Sequence, residues 1–523
     1  MRRVLLALCV ITAARGGVVS RDWGQGRLTL KLDDGAAEME WISPIAFRFA
    51  RSWDGAIQAL PKVSHDRIEP EFEEAGDRIT MRTKYLTVEM DRADLKMSVK
   101  SAATPVVSNA LNKTVGGVEL KFGLAPDEKV FGLMGGTNGR LNLRGEKLER
   151  RNGFFFTSAG YGLSIRTPEV CAFDLASGTV EAMGARSFEY AFYYGPTPKE
   201  IMEEHMTVTG QHELKPDALD VLPENGLPKT ATPLPKGPLD SWEAMRSLIQ
   251  TLNNWSLSAV LYPAMDVGSF DSGAKDVKQR AADVSALFPT VYRSAGTGGI
   301  DVATREMWKP YLITYLREAF DRGLPVIRPL PMQFSKDANS DQQADVFMLG
   351  DEVLLAPVVG PGGRRRVDLP KGLWTDFRTN TEYRGNQTVQ VDAPAGHVPM
   401  FVRNGWIVPL AMKDAMELHY FPSLGAEFFI WEPDKNDISQ LHAAPAGDYV
   451  RVEIETQVSR TYEWILHHTK AAREVAEEST VYRRAAQRAQ LRPGMWWHDS
   501  AKNDLHVMVQ AAAGSDRIVN ISF

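Results

Sequence analysis

The chain has 523 residues, 44% hydrophobic and 24% charged, and its 60 Lys and Arg against 66 Asp and Glu give a formal charge of -6. This is more chain than one hydrophobic core sustains, with the composition of an ordinary globular protein, so two to four domains are expected. No basic block longer than Arg364-Arg365-Arg366 is present; that triplet reads as a solvated hairpin turn, and no nucleic-acid partner is expected.

The chain begins Met1-Arg2-Arg3, continues with an apolar run from Val4 to Ala14, and then reads Arg15-Gly16-Gly17. A basic start, a short apolar run and small residues near Ala13-Ala14 form the pattern of a secretory signal, taken as residues 1–20. The apolar run falls short of the ~20 residues that span a bilayer, so no membrane span is expected and the protein is placed outside the cell or in a periplasm. Cys9 would leave with the signal. Cys171 would then have no partner for an intrachain disulfide.

From about Asp22 to Tyr194 the chain alternates apolar and polar residues in short segments, such as Arg27-Leu28-Thr29-Leu30-Lys31-Leu32 and Tyr85-Leu86-Thr87-Val88-Glu89-Met90. Period two over such lengths predicts antiparallel strands with one buried face, and residues 21–210 are read as an N-terminal β-sandwich. A short helix over Lys199 to Val208, closed by Gly210, ends it. Residues 211–236 hold five prolines and no sustained period, and are read as a linker.

The pattern then changes. Asp240-Ser241-Trp242-Glu243 opens a helix with Trp242, Met245, Leu248, Ile249 and Leu252 on one face, and Ser256 to Tyr262 follows as an apolar strand. A second amphipathic helix runs from Met307 to Phe320 and stops at Gly323, before the buried strand Leu324 to Arg328. Helices alternating with strands predict βα units and a parallel sheet over residues 237–331. Strand patterns return in Val353 to Val358, Arg366 to Leu369 and Thr388 to Val391, giving two C-terminal β-domains, residues 332–411 and 412–523. The fold class is therefore multidomain and mostly β.

Four stretches in order resemble glycoside hydrolase family 31, the α-glucosidase and α-xylosidase family. They are Phe131-Gly132-Leu133 with Leu141-Asn142-Leu143-Arg144-Gly145; Tyr193-Tyr194-Gly195-Pro196-Thr197-Pro198-Lys199-Glu200; Trp242 through Asp266-Val267-Gly268-Ser269-Phe270; and Arg328-Pro329-Leu330 through Phe347 to Asp351 and Val398 to Leu410. The resemblance implies a β-sandwich, a (β/α)8 barrel and two C-terminal β-domains. A whole barrel takes ~250 residues, whereas here the linker is followed by residues 237–331 alone. An incomplete, barrel-type remnant is expected, lacking roughly the first five βα units.

A retaining glycosidase needs two carboxyl groups ~5–5.5 Å apart, one as nucleophile and one as acid. The resemblance places the nucleophile on a strand this sequence lacks. It places the acid/base Asp five residues before Trp242, which is Gly237, and the sugar-binding His of an Arg-x-His-Gly string at Ala295 in Arg293-Ser294-Ala295-Gly296. Asp240, three residues before Glu243, reads instead as a helix N-cap in a capping box. Asp266 matches a family residue that contacts the sugar, and a turn Asp before Gly268 is the competing reading. Phe270 and Trp242 join it as vestigial substrate-binding candidates; no catalytic residue is assigned. The histidines share no metal spacing, and neither metal nor cofactor is expected. Trp496-Trp497 suits core packing better than sugar stacking.

Three functions follow: a catalytically inactive family 31 pseudoenzyme that binds carbohydrate weakly or not at all, an active α-glycosidase completed by a separate chain, or a non-catalytic carbohydrate-binding or surface protein. Fold alone does not choose among them. The oligomeric state and the sugar specificity stay open.

Overall fold

The computed structural model describes residues 17–523 except 56, 58–67, 103, 137, 211–218, 236, 238, 297 and 298. Most of the expected signal, residues 1–16, lies outside the described residues, while Val18–Gly24 is a strand paired with Arg27–Leu32. The chain divides into two compact units, residues 1–136 with 142–210, and residues 137–141 with 211–523.

The first unit is a single 15-stranded sheet with Val18–Gly24 at one end and Glu71–Ala75 at the other. Trp23 stacks on Phe72 at 4.8 Å and Arg21 reaches Glu74 at 2.9 Å, so the two end strands meet and the sheet folds back on itself. Alternation decides which residues enter the core: Leu28, Leu30 and Leu32 on one strand, Leu86, Val88 and Met90 on another, all at most 4% exposed. Helix α1, Pro198–Thr209, starts in a capping box in which the Thr197 hydroxyl and the Glu200 side chain satisfy each other's backbone N–H groups. Gly210, at φ 91°, ends it.

The second unit begins with four parallel strands in the order Val221–Pro223, Thr290–Arg293, Pro263–Asp266, Thr232–Pro233. Both outer strands come from the Pro-rich stretch, which is therefore not a plain linker. Pro223 and Pro233 lie on strands at the two edges of this sheet, where a missing backbone N–H costs no ladder bond. Proline thus marks sheet edges here, although by composition it reads as linker.

Helices α2, Trp242–Ser256, α3, Lys275–Ser285, and α4, Val302–Arg322, contribute buried apolar residues to the core that also holds the sheet residues Met265 and Val291. The N-cap of α2 is Ser241, whose side chain accepts from Ala244 N at 3.2 Å; the expected Asp240–Glu243 box does not form because the helix starts one residue later. Arg305 of α4, 4% exposed, donates to the carbonyls of Leu219, Phe288 and Pro289, which pins the helix to the starts of two parallel strands. Burial lowers its pKa to about 10.

Ile327–Pro329 does not join the parallel sheet. It pairs antiparallel with Phe347–Leu349 in a six-stranded sheet, so the expected division at residue 331 cuts through paired strands. The division at 411 likewise falls in the hairpin formed by Ile407–Ala411 and Met416–Tyr420. One continuous core runs from Met265 and Val291 through Trp308 and Leu349 to Leu418, Trp464 and Val507. Arg364-Arg365-Arg366 is not a hairpin turn but the start of the strand Arg364–Leu369, paired with Gln387–Asp392, and Arg365 is bonded to Asp345 at 2.6 Å. Trp496 is 4% exposed in the last β-rich region, a core position.

Candidate functional site

The side chains at the C-terminal ends of parallel strands are where an α/β sheet offers chemistry, because the helices that follow leave that rim open. Asp266 ends the Pro263–Asp266 strand at this rim. Its Oδ1 accepts from Gly268 N at 3.0 Å and from Ser294 N at 3.1 Å, and its Oδ2 accepts the Ser294 hydroxyl. The carboxylate therefore ties the exit of its own strand to the exit of Thr290–Arg293. Gly268 makes the crossing possible: a Cβ there would sit 2.1 Å from Ala295 O. Asp266 is thus a turn Asp, and the same group also borders open space.

That space is a cavity of about 250 Å³ whose lining includes Asp266, Gly237, Leu239, Thr251, Met265 and Ser269. Asp266 is the one carboxylate among the lining residues. A Cβ at Gly237 would meet nothing within 4 Å, so the position is empty of side chain and has room for one. Ala295 faces the Asp266 turn through its backbone carbonyl.

The three sequence candidates are not gathered into one site. Phe270 is 2% exposed and borders a different cavity, of about 660 Å³, with Lys275, Lys278, Asp283 and Asp301. Trp242 lies in the first turn of α2 and is not among the residues lining the Asp266 cavity. The turn at Gly268 is read from the sequence, but Ser294 is not singled out there; only the pairing of the two parallel strands brings it onto Asp266. Among the described residues no group of three or more His, Cys, Asp and Glu side chains could hold a metal ion. Among the described residues no helix is long and apolar enough to cross a membrane.

Residues 323–408 match the glycosyl hydrolase family 31 C-terminal domain. Alpha-glucosidase 2 of Bacillus thermoamyloliquefaciens is 27% identical over 245 residues, 41% of this chain and 31% of that protein. The alpha-xylosidase of Saccharolobus solfataricus is 26% identical over 232 residues, 38% of this chain and 31% of its own. The matched stretches thus span less than a third of these curated relatives. In three dimensions the chain resembles the Flavobacterium johnsoniae GH31 dextranase complexed with glucose, at a TM-score of 0.84 and 14% identity over 98% of this chain and 100% of that one. The cycloalternan-forming enzyme of Listeria monocytogenes gives 0.82 and 13% over 97% of this chain and 77% of that one. The fold is shared at this level of identity, and the family model, the curated relatives and the solved structures all point to the same family, glycoside hydrolase family 31, as the one this chain resembles.

Proposed function

We propose that this chain is a non-hydrolytic member of family 31, secreted or periplasmic, whose barrel is reduced to the four parallel strands. The observation that carries the proposal is the cavity at Asp266. A retaining mechanism needs a second carboxyl ~5–5.5 Å from the first, and the position that the family resemblance assigns to the acid is Gly237, with no side chain to offer a proton. Asp266 itself is held by Gly268 and Ser294, so its lone pairs are largely spent on the turn. General acid assistance is usually worth ~10²–10⁴-fold, and without it and a nucleophile the cavity at most holds a sugar. Any saccharide binding there is weak, since a single occupied carboxylate competes poorly with water.

The reduced barrel is supported by strand order. Val221–Pro223, the first parallel strand in the chain, lies beside Thr290–Arg293, the last, which are the two strands that meet when a barrel closes. The chain between Pro223 and Thr232 carries only a 3-10 turn, Glu224–Gly226. One observation favours the second reading, completion by a separate chain: Val221–Pro223 and Thr232–Pro233 each have one strand partner among the described residues, leaving an edge where missing strands would insert.

The test is turnover of aryl α-glucosides and α-xylosides by the purified chain. No release above the enzyme-free rate is expected. Turnover that disappears in Asp266→Ala would show that a new catalytic pair exists.

A further inference from the structure

A cavity of about 940 Å³ lies between α4 and the hairpin of Ala426–Glu432 and Asp437–Pro445, and takes no part in the chemistry above. Along Ala426–Glu432 burial alternates: Phe428 and Ile430 enter the core, while Glu427, Phe429 and Trp431 turn the other way, and all three line the cavity. Across the hairpin Trp431 pairs with Ile438 and Glu427 with His442, both also lining it. Trp406 completes an aromatic wall. Phe429 is 44% exposed and Ile438 37%, large apolar surfaces left to water inside a concavity.

The charges around this wall are already balanced. Arg317 meets Asp321 at 2.7 Å, Arg322 meets Glu318 at 2.8 Å, and the fully buried Arg328 reaches Glu318 and Asp351 from behind. The Arg317 guanidinium also covers one face of Trp431, 4.3 Å from the ring centroid. An ionic ligand would have to break such pairs. A strand-adding peptide would find the outer edge at Trp431 N taken by the Thr314 hydroxyl at 2.9 Å. A neutral ring carrying hydroxyls fits both halves of the lining. Its C–H face lies on Phe429 and Trp406, and its hydroxyls donate to the carboxylates at the rim, Asp321 and Glu427, whose side chains are 42% and 65% exposed. The volume is in the ~300–1,000 Å³ range of small-ligand sites.

We propose that this cavity is a saccharide-binding site, remote in sequence from Asp266, that takes a neutral oligosaccharide. It does not rest on the fate of the Asp266 cavity. The test is titration calorimetry of the full chain with maltotriose and isomaltotriose, repeated with Phe429→Ala, Trp406→Ala and Asp266→Asn. Phe429 is half exposed, so its replacement leaves the fold intact, as circular dichroism would verify. Binding is expected to weaken about tenfold in each aromatic variant and to stay unchanged in Asp266→Asn. Absence of binding to both saccharides would overturn the proposal. So would full-strength binding in both aromatic variants, or loss of binding in Asp266→Asn alone.

Discussion

Glu352 offers a measurable consequence of burying a carboxyl group. It is 2% exposed, and burial followed by repulsion from Asp351 pushes its pKa up to about 7 from an ordinary 4.5, against the Tyr311 and Tyr315 hydroxyls that favour the anion. The Tyr311 and Tyr315 hydroxyls each donate to Glu352 Oε2 at 2.6 Å and the Asp351 N–H donates at 3.2 Å, so burial and Asp351, not these bonds, hold the proton on Glu352. The native state therefore holds a proton on Glu352 that the unfolded chain has released above pH 4.5. Stability from this group is full below pH 4.5 and is lost as pH rises towards 7, at ~1.36 kcal/mol per pH unit. His467 acts in the opposite sense. Burial lowers its pKa from 6.5 to about 4, against the pull of Asp504, so its contribution is present above pH 6.5 and is lost as pH falls towards 4. Over the shared window the two slopes cancel. Glu352→Gln removes one of them. Between pH 5 and pH 8 the variant is expected to gain about 3 kcal/mol relative to wild type, or about 5 °C in the thermal midpoint for a unit of this size. Comparing the two pH values removes any constant packing cost of the amide. Scanning calorimetry at both pH values would measure it. A variant offset from wild type by the same amount at pH 5 and pH 8 would refute the reasoning.

Other substitutions probe the Asp266 turn and the empty acid position. Gly268→Ala places a methyl group 2.1 Å from Ala295 O and should destabilise the protein by about 2 kcal/mol or more, read as a lower denaturation midpoint. Gly237→Asp meets open space, so its midpoint should stay within about 0.5 kcal/mol of wild type, and turnover of aryl α-glycosides should remain absent because a nucleophile is still missing.

What the sequence reveals depends on whether the signal is local. Leu28, Leu30 and Leu32 announce their strand by alternation, and Thr197, Pro198 and Gly210 bracket α1 because caps are written within a few residues. Asp266 is legible as a polar residue beyond an apolar segment, but the strand expected over Ser256 to Tyr262 is the end of α2 and the loop after it, and the strand is Pro263–Asp266. Ser294, the partner of Asp266, is not legible, since 28 residues of chain separate them and only parallel pairing closes the gap. Pro223 and Pro233 mislead for the same reason: a proline in an edge strand and one in a linker look alike until the sheet is seen. Ile327–Pro329 reads as a buried strand but does not name its neighbour, and the neighbour is antiparallel. The histidines look bland by spacing, yet His419 contacts His467 at 3.0 Å and His467 contacts Asp504 at 3.1 Å, a buried chain assembled from three strand regions.

The central claim is that no carboxylate of this chain serves as a glycosidic nucleophile, and a 5-fluoroglycosyl fluoride tests it without relying on turnover rate. Such a reagent leaves a slowly hydrolysed glycosyl ester on the nucleophile of a retaining enzyme. Intact-mass measurement after incubation with the gluco and xylo reagents should show the mass of the unmodified chain. A stoichiometric adduct of one glycosyl group, mapped to an Asp or Glu, would contradict the account.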